Sequence, residues 1–318
     1  MRVKRCGVLS TFILHLVFVT LLLILFYQKP RKMSCFTVGF SVPDRVGIGN
    51  HLFYYAGVTY VAWLTGRKPF LLTSERNILD KAFDLDIARQ DPSKGCLLTH
   101  FYSKYANRYE GRVKRLKRVA RRVSIRLRGH FFSWKYVTPI ENLLRGELRF
   151  RRNLTDFAEK FLLSSVPRGW ETSVFVRVGV HVRRGDFLHR RWVRMGLTVV
   201  NEQYLNRTMT FFIERYSRVQ FVVASDDIGW CQKNITLSSF DQQRVNIAFS
   251  IGHSAEQDFA LLASCDHMIM STGTFGWWAS WLANGTTVYY RTYATPGSEL
   301  WRHSRRADLF PPPWIGMY

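Results

Sequence analysis

The stretch that decides the fold is Ser173-Val-Phe-Val-Arg-Val-Gly-Val-His-Val-Arg-Arg-Gly-Asp186. Val174, Val176, Val178, Val180 and Val182 recur at period two, so they share one face of an extended chain and predict a strand buried on at least one face. The apolar run stops at Arg183-Arg184-Gly185-Asp186, which puts two guanidiniums and a carboxylate at the strand's carboxyl end. Two later runs repeat the design. Phe221-Val-Val-Ala224 ends in Ser225-Asp226-Asp227, and His267-Met-Ile-Met270 ends in Ser271-Thr272-Gly273-Thr274. Helices are predicted between them over 202–215 and 255–265, the second opened by a capping box of Ser254 and Gln257. Strands alternating with helices make a parallel sheet whose carboxyl ends share one edge. Ligands of such sheets bind outside that edge.

Working outward, the three polar clusters read as one site. Arg183 and Arg184 supply planar, permanently charged forks suited to phosphate oxygens. Asp226 or Asp227 is placed to accept hydrogen bonds from a base or ribose. Thr274 is expected to cap a helix starting at Phe275 and Gly276, whose free N–H groups and dipole favour an anion. Singly these are a surface ion pair, a helix start and a turn; together they point to a nucleotide diphosphate. Upstream, residues 35–42 predict a strand, Gly47-Ile-Gly49-Asn50 a loop, and residues 51–65 a helix stopped by Gly66. With Phe70-Leu-Leu72 this makes a βαβ unit. The full dinucleotide fingerprint is missing, because Leu52 stands where a third glycine belongs.

The chain has 318 residues, a net charge of +23, and 47% hydrophobic and 15% aromatic residues. So much apolar surface excludes a disordered polyelectrolyte, while the charge invites nucleic acid, an anionic membrane or a phosphorylated small molecule. Residues 112–128 hold nine of the cations and no acid, with Val113, Leu116, Ala120, Val123 and Leu127 at helical spacing. They predict a basic amphipathic helix, with either a solvated outer face or one facing an anionic membrane or acidic glycan. Residues 8–27 are apolar except for Ser10, Thr11, His15 and Thr20; at the helical rise they span roughly 30 Å. Phe26-Tyr27-Gln28-Lys29-Pro30 offers no small-residue cleavage site, so an uncleaved signal anchor over 8–28 is expected. Sequons at Asn153, Asn206, Asn234 and Asn284 place the body in the lumen, away from nucleic acid. Beyond Cys6, the cysteines at 35, 96, 231 and 265 either pair in one of three ways or stay buried as thiols. None has metal-site spacing, so no metal is expected.

Val178-Gly-Val-His181-Val-Arg183-Arg184-Gly-Asp186 resembles the H-x-R-R-x-D motif of α-1,2- and α-1,6-fucosyltransferases. More narrowly, the chain is similar to the galactoside α-1,2-fucosyltransferases of glycosyltransferase family eleven. Gly47-Ile-Gly-Asn-His-Leu-Phe53, Val223-Ala-Ser-Asp-Asp227, Ser271-Thr-Gly-Thr-Phe-Gly-Trp-Trp278 and Pro313-Trp-Ile-Gly316 carry the likeness, over about residues 45–66 and 173–318. The resemblance implies an α/β, GT-B-like fold of two Rossmann-like lobes facing a cleft behind an N-terminal transmembrane helix. It implies a single-pass type II Golgi membrane protein with GDP-β-L-fucose as donor substrate, a galactose-terminated glycan as acceptor, no cofactor or metal, and inversion at the sugar carbon. The chain then divides into a cytosolic tail (1–7), the anchor (8–28), a short stem (29–34), an acceptor-side lobe (35–170) and a GDP-fucose-binding lobe (171–318).

By motif position Arg183 holds the β-phosphate, Arg184 and Asp186 fix that loop, and Asp226, Thr274, Phe275 and Gly276 hold the nucleotide. Gly49, Asn50 and His51 face the cleft; His51 stands where the family has Gln. Asp186, His181 and His51 have the chemistry of a general base. The alternatives are a protein O-fucosyltransferase-like or other nucleotide-sugar transferase, and an inactive glycan-binding membrane protein on the same fold.

Overall fold

The computed structural model describes residues 35–43, 46–72, 78–88, 90–170, 174–236 and 240–318. The expected tail, anchor and stem lie outside them. Among the described residues no helix is long and apolar enough to cross a membrane.

The first sheet is built from strands β1 (Thr37–Ser41), β2 (Lys68–Leu72), β3 (Leu97–Ser103) and β4 (Val123–Gly129), in the order β2-β1-β4-β3 and parallel throughout. Helix α1 (Ile48–Thr65) joins β1 to β2 and is apolar on nearly every face, which suits a helix buried on all sides. It ends where the sequence predicts, at Gly66, whose φ of 68° only glycine adopts without strain. A disulfide joins Cys35 to Cys96, ahead of β1 and β3; Cys231 and Cys265 are buried free thiols.

Residues 112–128 are not one helix. They form a 3-10 turn over Gly111–Arg118 and then β4. Helical spacing paired Val123 with Leu127 and passed over Ile125. The alternation of 123, 125 and 127 is the period of a strand, and β4 is an interior strand between β1 and β3. Its buried Arg126 forms an ion pair with Asp91, whereas Arg112, Lys114, Arg115, Lys117, Arg118, Arg121, Arg122 and Arg128 are exposed.

The second sheet contains β5 (Val176–Val182), β6 (Val219–Ser225), β7 (Val245–Phe249), β8 (His267–Met270), β9 (Thr287–Tyr290) and β10 (Ile315–Met317). Its order is β10-β9-β8-β5-β6-β7, again all parallel. Helix α2 (Arg152–Ser164) precedes it; α3 (Glu202–Ile213), α4 (Ile228–Asn234), α5 (Ala255–Ala263) and α6 (Thr274–Ala283) are inserted between its strands. Helices α3 and α5 each stop two residues earlier than their periodicity predicts, and the capping box on α5 is present. Strand β5 is buried on both faces, as a central parallel strand must be. Val178, Val180 and Val182 pack with Tyr204, Met209 and Phe212 of α3. The opposite face has little room: a Cβ on Gly179 would lie 2.5 Å from the sulfur of Met268.

The chain crosses between the two units more than once. Helix α2 packs through Ala158 and Leu162 against Val222, Leu261 and Cys265 of the second unit. Near the C-terminus Asp308 returns to the first, where Lys135 binds its carboxylate at 2.5 Å and Ser133 Oγ donates to its carbonyl at 2.5 Å. Between them α1 lies on α6, with the Phe53 ring 4.7 Å from Trp277 and 5.2 Å from Trp278. One continuous apolar cluster therefore fixes both sheets in a single frame.

Candidate active site

Chain order runs outward from β5 through β6 and β7, then returns to the other side of β5 with β8. That reversal is the switch point where parallel sheets open a crevice for ligands. Arg183 leaves β5 there, and its backbone N–H donates to Ser271 Oγ, just past β8, at 2.8 Å. Its guanidinium is held between Asp186 at 2.6 Å and Asp226 at 3.1 Å, and its side chain is 36% exposed. It is thus fixed by two carboxylates yet open to solvent on one side.

Arg184 plays a different part. It stacks 3.9 Å above the Trp230 ring, reaches Asp227 at 3.3 Å and donates to the carbonyl of Val200, leaving it 15% exposed. Asp226 also accepts the Arg184 backbone N–H at 2.9 Å, so one carboxylate sets both the loop and the Arg183 fork. Gly185 is the residue that lets this close, since a Cβ there would lie 2.3 Å from Asp226 Oδ2. Asp227 caps α4 by accepting from the Trp230 N–H at 3.2 Å.

Opposite the arginine loop two helix N-termini converge. Helix α6 is capped by the backbone of Gly273 at φ 103°, and Thr274 is its first helical residue rather than its cap. The Thr274 hydroxyl instead donates to Asn50 Oδ1 on α1 at 2.7 Å. Gly49 is buried so closely against α6 that a Cβ would lie 2.4 Å from the Thr274 carbonyl carbon. His51 is buried too, with Nδ1 3.2 Å from the Gly47 carbonyl. Gly49 and His51 therefore do not face an open cleft; with Asn50 they form the seam that brings the positive ends of α1 and α6 together.

His181 sits behind this seam. It stacks on Phe275, lies 3.3 Å from Ser271 Oγ, and fills the space left by Gly276, where a Cβ would be 2.4 Å from its Nδ1. Burial, reinforced by the neighbouring Arg183 charge, pushes its pKa down to about 3. A buried imidazole that stays neutral braces the loop and is not placed to take a proton from a substrate. Asp186 reaches solvent but is committed to Arg183. Trp230, and the bracing of the Arg183 backbone by Ser271, were not legible in the sequence, because they arise only when β5, β6 and β8 pair. A hydroxyl or carboxylate one residue past each strand end is the signal that was available.

Two parallel α/β units joined through opposed helix N-termini, with a clamped guanidinium at the switch point, define a GT-B-like glycosyltransferase. A solved structure of mutant Arabidopsis thaliana FUT1 in complex with GDP has this fold, at a TM-score of 0.56 and 14% identity over 92% of this chain and 78% of that one. The chain belongs to glycosyl transferase family 11, whose sequence model matches residues 8–318. Galactoside alpha-(1,2)-fucosyltransferase 2 of Mus musculus is 31% identical over 91% of this chain and 80% of its own length. Galactoside alpha-(1,2)-fucosyltransferase 1 of Bos taurus is 30% identical over 92% and 79% respectively.

Proposed function

We propose that this protein transfers L-fucose from GDP-β-L-fucose to the 2-hydroxyl of a terminal galactoside, with inversion at the sugar carbon. The observation that carries the reading is the Arg183 guanidinium, clamped by Asp186 and Asp226 beside the converging N-termini of α1 and α6. Breaking the bond between fucose and phosphate leaves charge on GDP and an oxocarbenium-like sugar. A cation already aimed at the β-phosphate stabilises that transition state more than the ground state and needs no reorganisation. Asp226, Arg184 and Asp186 are then positioning residues that fix the guanidinium, and His181 fills the space beneath. The α-1,2 linkage follows the relatives' printed names.

The same reading makes the protein a single-pass type II Golgi membrane protein with a lumenal body. The apolar residues 8–27 and the exposed sequons at Asn153 and Asn206 support it. Asn234, by contrast, is half-buried and donates to the Trp230 carbonyl at 2.7 Å.

The test offers labelled GDP-fucose with a terminal β-galactoside, with a folded peptide, and with no acceptor, each with and without a chelator. Label on the galactose 2-hydroxyl that survives chelation is expected. Label on the peptide alone would replace this reading with a protein O-fucosyltransferase, and donor binding without transfer would leave a glycan-binding protein.

A further inference from the structure

A cavity of about 770 Å3 opens beyond the carboxyl ends of β9 and β10, and Arg183 is not among its lining residues. Arg108, Arg291, Arg302 and Arg306 line it, and among the described residues no Asp or Glu side chain does. What holds these arginines is neutral. Arg108 donates to the Arg302 carbonyl, Arg302 donates to the Gly297 carbonyl at 2.6 Å, and Arg291 lies 4.9 Å from the Tyr318 ring centroid. The Nε atoms of Arg108 and Arg291 are buried without a hydrogen-bond partner. Two acids line a neighbouring smaller cavity with Arg108. Asp308 is buried and turned to Lys135 at 2.5 Å and to Arg305 at 3.9 Å, and Glu110 is paired with Arg112 at 2.8 Å. The Tyr318 backbone oxygen accepts from Arg207 at 2.9 Å.

Four like charges around one void repel each other, and low-dielectric walls focus their field on whatever enters. An anion relieves that repulsion and supplies charged acceptors that the neutral carbonyls around these forks do not. The other walls are flat and apolar: Tyr293, Trp301 and Trp314 offer the broad faces on which sugar rings pack.

The cavity shares a frame with the arginine loop. Thr272, past β8, donates to the Thr198 carbonyl at 3.2 Å, and the Thr198 hydroxyl donates to the carbonyl of Thr292 in the cavity wall. Trp277 of α6 donates to the Leu309 carbonyl at 2.8 Å, and its ring lies 5.3 Å from Trp314.

We propose that this cavity binds a carboxylate or sulfate ester on the acceptor saccharide, so that the glycans this protein modifies carry negative charge near the galactose. The proposal rests on the fucosyl transfer to galactosides argued above.

The test uses the full chain and two readouts. In the first, tryptophan fluorescence is titrated without donor, using a neutral galactoside, the same galactoside with a sulfate ester on the inner sugar, one with a carboxylate there, and inorganic sulfate. Both charged saccharides are expected to bind about tenfold or more tightly than the neutral one, an advantage that high salt erodes. Arg306→Gln, an exposed position, removes most of it, and Arg306→Lys restores part. In the second readout, Arg306→Gln raises KM for charged acceptors only and leaves KM for GDP-fucose unchanged.

Equal affinity for charged and neutral saccharides would overturn the proposal. So would inorganic sulfate binding as tightly as the charged saccharide, which would mark an anion site unconnected with acceptors. Arg306-dependent binding without fucose transfer to any galactoside would sink the functional reading and leave the cavity's ligand class standing.

Discussion

Residues 112–128 and the Arg183-Arg184 pair are both rich in cations, and they share little else. In the first, eight of nine cations stand in solvent, and among the described residues Glu110 is the one acid that reaches any of those eight, Arg112 at 2.8 Å. In the second, two carboxylates hold one guanidinium while a tryptophan ring and a carboxylate hold the other. A solvated cation follows its counterions and stabilises a transition state no better than water does. A clamped one keeps its orientation when charge develops beside it, and that pre-orientation lowers a barrier. The contrast also appears within the basic segment itself, since Arg126 is its one buried cation and is paired there with Asp91, whereas the Arg112 pair with Glu110 is exposed.

The sharpest way to break the contrast is to remove the clamped charge. Arg183→Ala is expected to lower kcat/KM for GDP-fucose by about 100- to 1000-fold, on the order of 3–4 kcal/mol, with the thermal midpoint unchanged. Arg183→Lys should recover little, because a point charge cannot bridge two carboxylates and a phosphate. Wild-type turnover in either variant would put the site elsewhere. Asp226→Asn leaves the cation and loosens its clamp; roughly 10- to 100-fold lower kcat is expected, the worth of one charge-assisted bond. Within the basic segment, Arg126→Met should cost about 2–3 kcal/mol in urea unfolding and leave turnover per folded molecule intact.

An effect confined to acid pH, and absent at neutrality, tests the brace under the loop. The native pKa of His181, about 3, lies below its ordinary 6.5, so the unfolded chain takes up the proton first as pH falls. Stability from this group is complete above pH 6.5 and is lost toward pH 3, at about 1.4 kcal/mol per pH unit. Asp258, raised to about 6 by burial, works with the opposite sign. It is common to wild type and His181→Gln, so the difference between their unfolding free energies isolates the histidine. A pH-independent difference would mean that His181 is solvated. Smallest of all, glutamine at Lys114, Arg115 and Arg118 should each shift stability by less than about 0.5 kcal/mol and leave kcat unchanged. A large loss of activity there would erase the distinction between the two regions.

Much of the second sheet, and the end of α1 in the first unit, was legible because the signals are local. Alternating valines, the Ser254 capping box and the glycine after α1 each depend on contacts within a few residues. The basic segment misled for the same reason: Val123 and Leu127 satisfy helical spacing as well as strand spacing, and only pairing with β1 and β3 decides between them. Thr274 misled because a threonine before an apolar helix usually caps it, whereas here its hydroxyl is drawn to Asn50 across the seam.

The sequence by itself determined which residues carry permanent charge, which runs form buried strands, and that polar clusters follow those strands. It could not determine which cluster faces which. Asp226 lies 42 residues from Arg184, and only the register that sets Val182 beside Ser225 delivers its carboxylate to both arginines. The burial of His51 and His181, the convergence of α1 with α6, and the gathering of four arginines around one cavity were likewise settled by tertiary packing. These are close contacts between segments far apart in the chain, whose cost in chain entropy only a shared apolar core can offset.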